Sequence, residues 1–331
     1  MRLIALDANQ PADRFYRGGE RIARFRGARD AQPYTPEDWV GSTVGLFGDR
    51  ATGPTRLPDG ALLADRVAAD PEAWLGADHV ARWGADPALL VKLLDAGERL
   101  PVHAHPDVAF AGPHLGLGHG KAEAWTMLAD AEVRLGFARD VATDELAAWV
   151  RDQDVDAMLD AMHVLTVGVG DSVLVPPGLP HAIGAGAFLV EVQEPTDLSI
   201  LLEWRDFPLD GARDGHLGLG FDVVLDAVDR RGRTPESIEA LVARGADREG
   251  SVLPAGADAW FRVERTVVRG SARLDAGYSI VVVTDGSGTL AGADGETLPI
   301  AAGSTVLTPH AAGELRVQGD VALLRCRPPA V

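Results

Sequence analysis

The sequence has little cysteine, little positive charge and no long apolar run, and each shortage excludes a class of protein. Its single cysteine, Cys326, cannot form a disulfide within the chain, which favours a reducing compartment. With 31 basic against 49 acidic residues, the surface repels phosphate backbones and anionic lipids, so we expect neither a nucleic-acid nor a membrane partner. No run approaches the ~18 apolar residues of a membrane helix, and the first residues lack a signal-peptide pattern. We therefore expect a cytoplasmic location.

Glycine and proline are abundant instead, with 38 and 21 among 331 residues. Frequent turn residues favour a strand-rich fold over a helix bundle. Residues 164–204 contain short apolar runs separated by Gly and Pro at intervals of roughly 8–12 residues, which is typical of a β-sandwich or barrel. Residues 122–137 predict a hairpin, and the glycine-rich stretch 111–121 predicts a loop.

Helical periodicity is clearest in two segments, at about 57–83 and 140–163, where apolar residues recur three and four apart, and one further helix is expected over 235–244. Residues from Trp260 onward form a second, smaller set of strand patterns. We therefore predict a first domain over 1–255, which contains both helical segments, and a second domain over 256–331.

The histidines of VHAHP are the first candidates for chemistry. Residues i and i+2 of a strand share a face, so His103 and His105 are able to bind one ion, although such a pair is often only a surface feature. The wider spacing strengthens the metal interpretation. Gly97 precedes His103 by six positions, and a second glycine-rich pattern, GDSVLVPPGLPH, ends at His181. These two patterns resemble the glycine-histidine motifs of the cupin barrel.

The carboxylate that usually follows the first motif is displaced, and Glu123 in GKAEAW is the best candidate. Imidazoles with a carboxylate suit Zn²⁺ and also Mn²⁺, Fe²⁺, Co²⁺ or Ni²⁺.

Four segments in order resemble the type I mannose-6-phosphate isomerases, a cupin family: PEDWVGSTVG, LLVKLLDAGERLPVHAHPD, GKAEAWTMLAD and VPPGLPHAIGAGAFLVEVQEPTD. The resemblance implies a mainly β, bicupin-like fold with two barrel units and a helical insertion. It also implies one divalent metal, most often zinc, and interconversion of an aldose and a ketose phosphate through a cis-enediol. The ligand positions that it assigns are His103, His105, Glu123 and His181.

The resemblance also assigns residues to catalysis. Lys92 and Lys121 are expected in the pocket as cations, and Glu191 is a candidate base or orienting residue, with a structural ion pair as the alternative. Asp197 is a weaker candidate of the same kind.

Two positions depart from the family pattern. Pro101 stands where the family has a serine, and Leu201 stands where it has an arginine. Arg205 shares the strand parity of Leu201, so it is the candidate to replace the missing arginine.

These departures leave several hypotheses open. The first is a mannose-6-phosphate isomerase, and the second is an isomerase of an unphosphorylated or differently substituted sugar. A non-catalytic, metal-containing sugar-binding cupin and an Fe²⁺-dependent oxygenase are the alternatives from other classes. In each isomerase hypothesis the partner is a small sugar or sugar phosphate, and we expect a monomer or small homo-oligomer.

His310, in GSTVLTPHAAG, lies where an internal repeat would place a late histidine, but no HxH accompanies it, so we expect a metal-free second unit. His119 is expected to contact solvent.

Overall fold

A computed structural model describes residues 1–245 and 248–330 of the chain, which form mainly antiparallel β-structure. The strands are β1 Ile4–Ala5, β2 Glu37–Val40, β3 Leu90–Asp95, β4 His103–Ala104, β5 Glu123–Met127, β6 Ala131–Phe137, β7 Met162–Val167, β8 Ser172–Val175, β9 His181–Ile183, β10 Phe188–Gln193, β11 Ile200–Leu201, β12 Val242–Ala243, β13 Gly250–Ser251, β14 Arg262–Leu274, β15 Ser279–Ala291, β16 Thr297–Ala301, β17 Thr305–Thr308 and β18 Leu315–Arg327.

Short helices connect the strands. They are α1 Glu20–Phe25, α2 Leu63–Ala69, α3 Pro71–Leu75, α4 Ala77–Trp83, α5 Val108–Leu115, α6 Thr143–Asp152, α7 Val155–Asp160, α8 Gly211–Asp214, α9 Phe221–Val224 and α10 Pro235–Glu239. Three of them lie within 57–83 and two within 140–163, the segments where the sequence has helical periodicity. Among the described residues, no helix combines the length and the apolar character needed to span a bilayer.

Two sheets enclose the first core. One has the strand order β12-β8-β5-β10-β3-β2, and the other has the order β11-β4-β9-β6-β7. Their apolar side chains meet in a single buried cluster, to which the first sheet contributes Leu94 and Met127 and the second contributes Leu135 and Ile183. The two sheets therefore face each other, as the layers of a β-sandwich do.

Alternation along β3 decides which side chains enter the space between these sheets. Val91 and Leu93 pack in a cluster on the outer face of the sheet, whereas Lys92 and Leu94 line the interior. The same parity in β10 turns Val190 outward and Glu191 inward. A strand buried on both faces is apolar almost throughout, so an inward-facing lysine or glutamate is unusual in such a strand.

A third sheet contains the C-terminal strands in the order β1-β17-β15-β18-β14-β13, with β16 paired to β15. Its residues Ile280 and Leu324 pack in the same cluster as Val91 and Val190 of the first sheet. The N-terminal strand β1 pairs with β17, so the two ends of the chain share one sheet.

The mainly β fold class expected from the sequence is confirmed. Two local predictions are wrong. Strands β5 and β6 do not pair as a hairpin, because β5 joins β8 and β10 while β6 joins β7 and β9 in the opposite sheet. Part of the expected loop over 111–121 lies in helix α5, which is capped by the Asp107 side chain despite containing Pro113.

Candidate metal centre and adjoining cavity

Three histidines converge on the neighbouring strands β4 and β9 of the second sheet. His103 and His181 lie directly opposite each other in the β4–β9 pair, and His105 lies one residue beyond β4. All three side chains are buried, and each offers a ring nitrogen within 4.8 Å of the others. The HxH spacing and the later glycine-proline turn therefore bring the expected imidazoles together.

A backbone carbonyl fixes the orientation of each ring. The acceptors are Pro101 O at 2.8 Å from His103 Nδ1, Leu198 O at 2.6 Å from His105 Nδ1, and Leu179 O at 2.9 Å from His181 Nδ1. A carbonyl oxygen only accepts, so Nδ1 donates in each ring and Nε2 is the nitrogen that faces the other two histidines. This is the arrangement in which proteins present imidazole to a metal.

Glu123 approaches the histidines from the opposite sheet. Its Oε2 lies 3.1 Å from His105 Nε2, and its Oε1 lies 3.2 Å from His181 Nε2. Burial lowers the pKa of His105 to about 3, and burial with the neighbouring imidazoles holds the pKa of His103 well below its usual value. Burial alone would raise the pKa of Glu123, but the Lys121 ammonium above all holds it well below its ordinary value. Neutral Nε2 acceptors therefore face a carboxylate, and such a set of lone pairs suits a cation.

Two further observations test whether a metal fits. Within the described part of the chain, His181 Nε2 is buried and makes no hydrogen bond. Lys121 Nζ lies 3.1 Å from both His105 Nε2 and Glu123 Oε2, so a cationic group already lies beside two of these atoms. Three imidazoles and one carboxylate are a ligand set that zinc and neighbouring divalent metals accept. The residues present therefore fit a divalent metal.

A cavity of about 280 Å³ adjoins this centre, near the lower end of the ~300–1,000 Å³ typical of small-molecule sites. Lys92 and Glu191 line it from directly opposite positions on β3 and β10. Lys92 Nζ lies 3.3 Å from Glu37 Oε2 and 3.7 Å from Glu191 Oε1. Although burial opposes its charge, these carboxylates raise the pKa of Lys92.

Glu191 differs from the other carboxylates of the cavity. Burial, and then repulsion from Glu123, raises its pKa to about 7. Its Oε1 is buried without a hydrogen-bond partner among the described residues. The side chain is therefore suited to exchange a proton near neutral pH.

Sequence reasoning missed three cavity residues that lie before or within β2. Arg14 Nη2 lies 3.3 Å from Glu37 Oε1, and the Tyr16 hydroxyl donates to the same oxygen at 2.5 Å. Arg14 also approaches Asp197, at 3.9 Å. The buried carboxylates raise the pKa of Arg14 against the effect of its own burial. The run RFYRGG has no periodicity that would place it in a site, so only the long-range fold reveals the role of Arg14.

Arg205 is the candidate that the structure does not bring to the cavity. Strand β11 ends at Leu201, so strand parity does not extend four residues further. The Arg205 side chain is 45% exposed, and its Nη1 donates to Gln153 O at 3.3 Å. Leu201 itself lines the cavity directly opposite His103 in the β4–β11 pair. Asp197, the weaker candidate, also lines the cavity.

Comparisons with known proteins show which sequences and folds the chain resembles. No protein-family model matches the chain. It is 28% identical to the mannose-6-phosphate isomerase ManA of Bacillus subtilis over 240 residues, which are 70% of this chain and 72% of that protein. It is also 28% identical to a mannose-6-phosphate isomerase of Streptococcus mutans over 243 residues, 71% and 72% of the two chains. The crystal structure of the B. subtilis mannose 6-phosphate isomerase superposes with a TM-score of 0.76 at 23% identity, covering 99% of this chain and 100% of that one. The resemblance found in the sequence is thereby confirmed.

Proposed function

We propose that this relative of the mannose-6-phosphate isomerases is itself a metal-dependent aldose–ketose isomerase, which interconverts a hexose of the mannose type and one of the fructose type through a cis-enediol. The observation that carries the proposal is the joining of two features in one cavity. His103 and Glu123 of the metal centre line the cavity together with Glu191, whose Oε1 makes no hydrogen bond, and His105 and His181 complete the centre beside it.

We assign His103, His105, Glu123 and His181 as the metal ligands and Zn²⁺ as the resident metal, because neutral imidazoles and a carboxylate suit this borderline ion. When bound, the cation supplies a Lewis acid for the oxygens on C1 and C2 of the open-chain sugar. The carbonyl partners of the three Nδ1 atoms hold the rings in the orientation that binding needs.

Glu191 moves the proton. An aldose becomes a ketose when a proton leaves C2 and one is delivered to C1, while the O2 hydroxyl loses a proton and O1 gains one. A single base on one face of the enediol serves both transfers at carbon. With a pKa of about 7, Glu191 both takes up and gives back a proton at neutral pH. Lys92, whose Nζ lies 3.7 Å from Glu191 Oε1, positions this carboxylate and stabilises its charged form.

Lys121 stabilises negative charge at the reacting end. Its Nζ already contacts Glu123 and His105, so it lies where the enediol oxygens develop charge. Arg205 has no part in this proposal, because its side chain is directed to Gln153 outside the cavity. A cytoplasmic location and a monomeric or small homo-oligomeric state stay predictions.

Proton exchange with solvent tests the proposal most directly. The zinc-loaded protein is incubated in D₂O with mannose or mannose 6-phosphate, and ketose formation and deuterium at C1 and C2 are followed by NMR. We expect chelator-sensitive ketose formation with solvent deuterium, and loss of both in Glu191→Gln with the bound zinc unchanged by elemental analysis. Stoichiometric zinc with no ketose formed from either sugar would instead identify a sugar-binding cupin.

A further inference from the structure

Every cationic side chain that the described residues contribute to the cavity lining already has a carboxylate partner. The pairs are Arg14 with Glu37 at 3.3 Å and Asp197 at 3.9 Å, Lys92 with Glu37 at 3.3 Å and Glu191 at 3.7 Å, and Lys121 with Glu123 at 3.1 Å. A fifth carboxylate of the lining, Asp214, pairs with Arg213 outside it. The lining therefore has five carboxylates against three cations, and it offers no surplus of positive charge to a phosphate dianion, which proteins recognise by charge-assisted bonds from Arg or Lys.

Apolar groups occupy positions around the metal centre that would suit donors to an anion. Leu201 lies directly opposite His103 and faces the same cavity, and Pro101 offers neither a hydroxyl nor an N–H. Leu209 and Leu217 continue the apolar lining. An anion beside these side chains loses hydration without gaining a hydrogen bond from them, which disfavours its binding.

The polar groups that remain suit hydroxyls. Arg14 and Asp197 lie 3.9 Å apart, which is too long for a direct hydrogen bond. A sugar hydroxyl both donates and accepts, so it is able to donate to Asp197 while accepting from Arg14, and it leaves the ion pair intact. Ser199, half-buried in the same lining, adds a neutral donor and acceptor.

We infer that the substrate is an uncharged aldose or ketose and that the cavity discriminates against its 6-phosphate. This inference rests on the proposed isomerase function and names its substrate class. The lining, in which carboxylates outnumber cations, holds a neutral polyol by hydroxyl contacts, and Arg14 with Asp197 forms its polar recognition pair.

The experiment compares kcat/KM of the zinc-loaded protein for mannose and fructose with the values for their 6-phosphates. We expect the uncharged sugars to be favoured by about tenfold or more, the effect of one charge-assisted hydrogen bond that the phosphate fails to gain. In parallel, Glu191→Gln is titrated calorimetrically with mannose, mannose 6-phosphate and inorganic phosphate. Mannose should bind more tightly than its 6-phosphate, and inorganic phosphate should not compete.

A pair of variants at one position sharpens the comparison. Leu201→Arg adds a cation opposite His103, so it should shift the kcat/KM ratio toward the 6-phosphate by about tenfold or more. Leu201→Met keeps the volume without the charge, so the ratio should stay at its original value. If the arginine variant does not fold, the calorimetric titrations still decide.

The outcomes separate the inference from the function beneath it. Faster turnover of the 6-phosphates, or tighter binding of mannose 6-phosphate to Glu191→Gln, overturns the inference and leaves the isomerase function standing. Absence of turnover with every sugar, together with full zinc occupancy, overturns the function, and the titrations then show whether the cavity still prefers the uncharged ligand.

Discussion

Two turns of similar sequence lead to different histidine environments in this molecule. GDSVLVPPGLPH and GSTVLTPHAAG both start at a glycine in the left-handed region, Gly170 at φ 85° and Gly303 at φ 88°. The first turn continues through Gly178 and delivers His181 into a buried strand, where its Nε2 has no hydrogen-bond partner. The second turn is shorter, so His310 starts a 3₁₀ turn on the surface beside helix α3.

The buried polar side chains near these two segments also differ in whether their hydrogen bonds are made. In the C-terminal sheet, the buried Arg325 is held by Ser279 Oγ at 3.0 Å and Asp275 Oδ1 at 2.6 Å, and its remaining nitrogen donates to Asp275 O at 2.7 Å. Ser279 in turn bonds Thr308 at 2.6 Å. Each guanidinium nitrogen of Arg325 therefore makes a hydrogen bond, whereas the Nε2 atoms of His103, His105 and His181 converge on one point. A buried polar group with all its bonds made stabilises a fold, and one left open marks a place for a ligand.

The largest expected effect comes from removing a histidine from each turn. His181→Ala should reduce metal affinity by more than the ~10–100-fold that follows loss of a ligand's hydrogen-bond partner, and isomerase activity should fall with it. His310→Ala is the matched control and should retain stoichiometric metal, as measured by elemental analysis. Full metal in His181→Ala would show that the ligand assignment is wrong.

The next effect separates metal binding from proton transfer. Glu191→Gln should lower kcat by about 10²–10⁴-fold, because the amide cannot act as a base. The loss of wild-type activity at low pH, where Glu191 takes up a proton, should also disappear. Glu264→Gln in the C-terminal sheet is the control, and an equal loss of kcat there would remove Glu191 from the mechanism.

Substitutions in the ion-pair network of Asp275, Arg325 and Arg327 should lower stability and leave isomerase activity unchanged. Asp275→Asn leaves the guanidiniums of Arg325 and Arg327 without their nearest charged partner, so the free energy of unfolding should fall by ~1–3 kcal/mol. Glu314→Gln breaks an exposed pair with Arg273 in the same sheet and should cost less than ~1 kcal/mol. Denaturant unfolding measures both changes. An Asp275→Asn variant as stable as Glu314→Gln would contradict the assigned role of this network.

The smallest effect concerns His119, which the sequence led us to expect in solvent. Its Nε2 lies 2.9 Å from Asp86 Oδ2, and its Nδ1 lies 3.5 Å from Glu194 Oε1. Burial alone would lower its pKa, but these carboxylates raise the pKa to about 9. The ion pairs therefore add stability that is fully present below pH ~6.5, the value for an unfolded histidine, and that is lost as the pH rises through about 9.

Thermal melting checks this dependence on pH. The difference in Tm between the wild type and His119→Gln should be greatest at pH 6 and should close above about pH 9. His114→Gln, an exposed change on helix α5, should show no such dependence. A difference for His119→Gln that stays constant with pH would mean that the imidazole contributes by packing on Trp83 alone.

Local patterns predicted much of the site. Parity in VHAHP placed His103 beside His105, and the resemblance to the isomerase family singled out Lys92 and Glu191. The prediction from strand parity that Arg205 faces the cavity was wrong, because an apolar pattern in the sequence does not show where a strand ends. The hairpin expected over 122–137 failed for a related reason, since two adjacent strands pair either with each other or across opposite sheets, and both arrangements bury the same residues.

The sequence by itself determined the mainly β class, the helical segments and the chemical types of the ligands, since these depend on short-range periodicity and turn residues. Only the tertiary structure brought Arg14 close to Asp197, which is more than 180 positions away in the sequence, and placed Leu201 opposite His103. It also gave a carboxylate partner to every cation that the described residues contribute to the cavity lining. The physical reason is that ion pairing and the burial of charged side chains depend on distances between atoms in the folded chain and not on spacing along the sequence. The choice between an uncharged sugar and its phosphate depends on those distances.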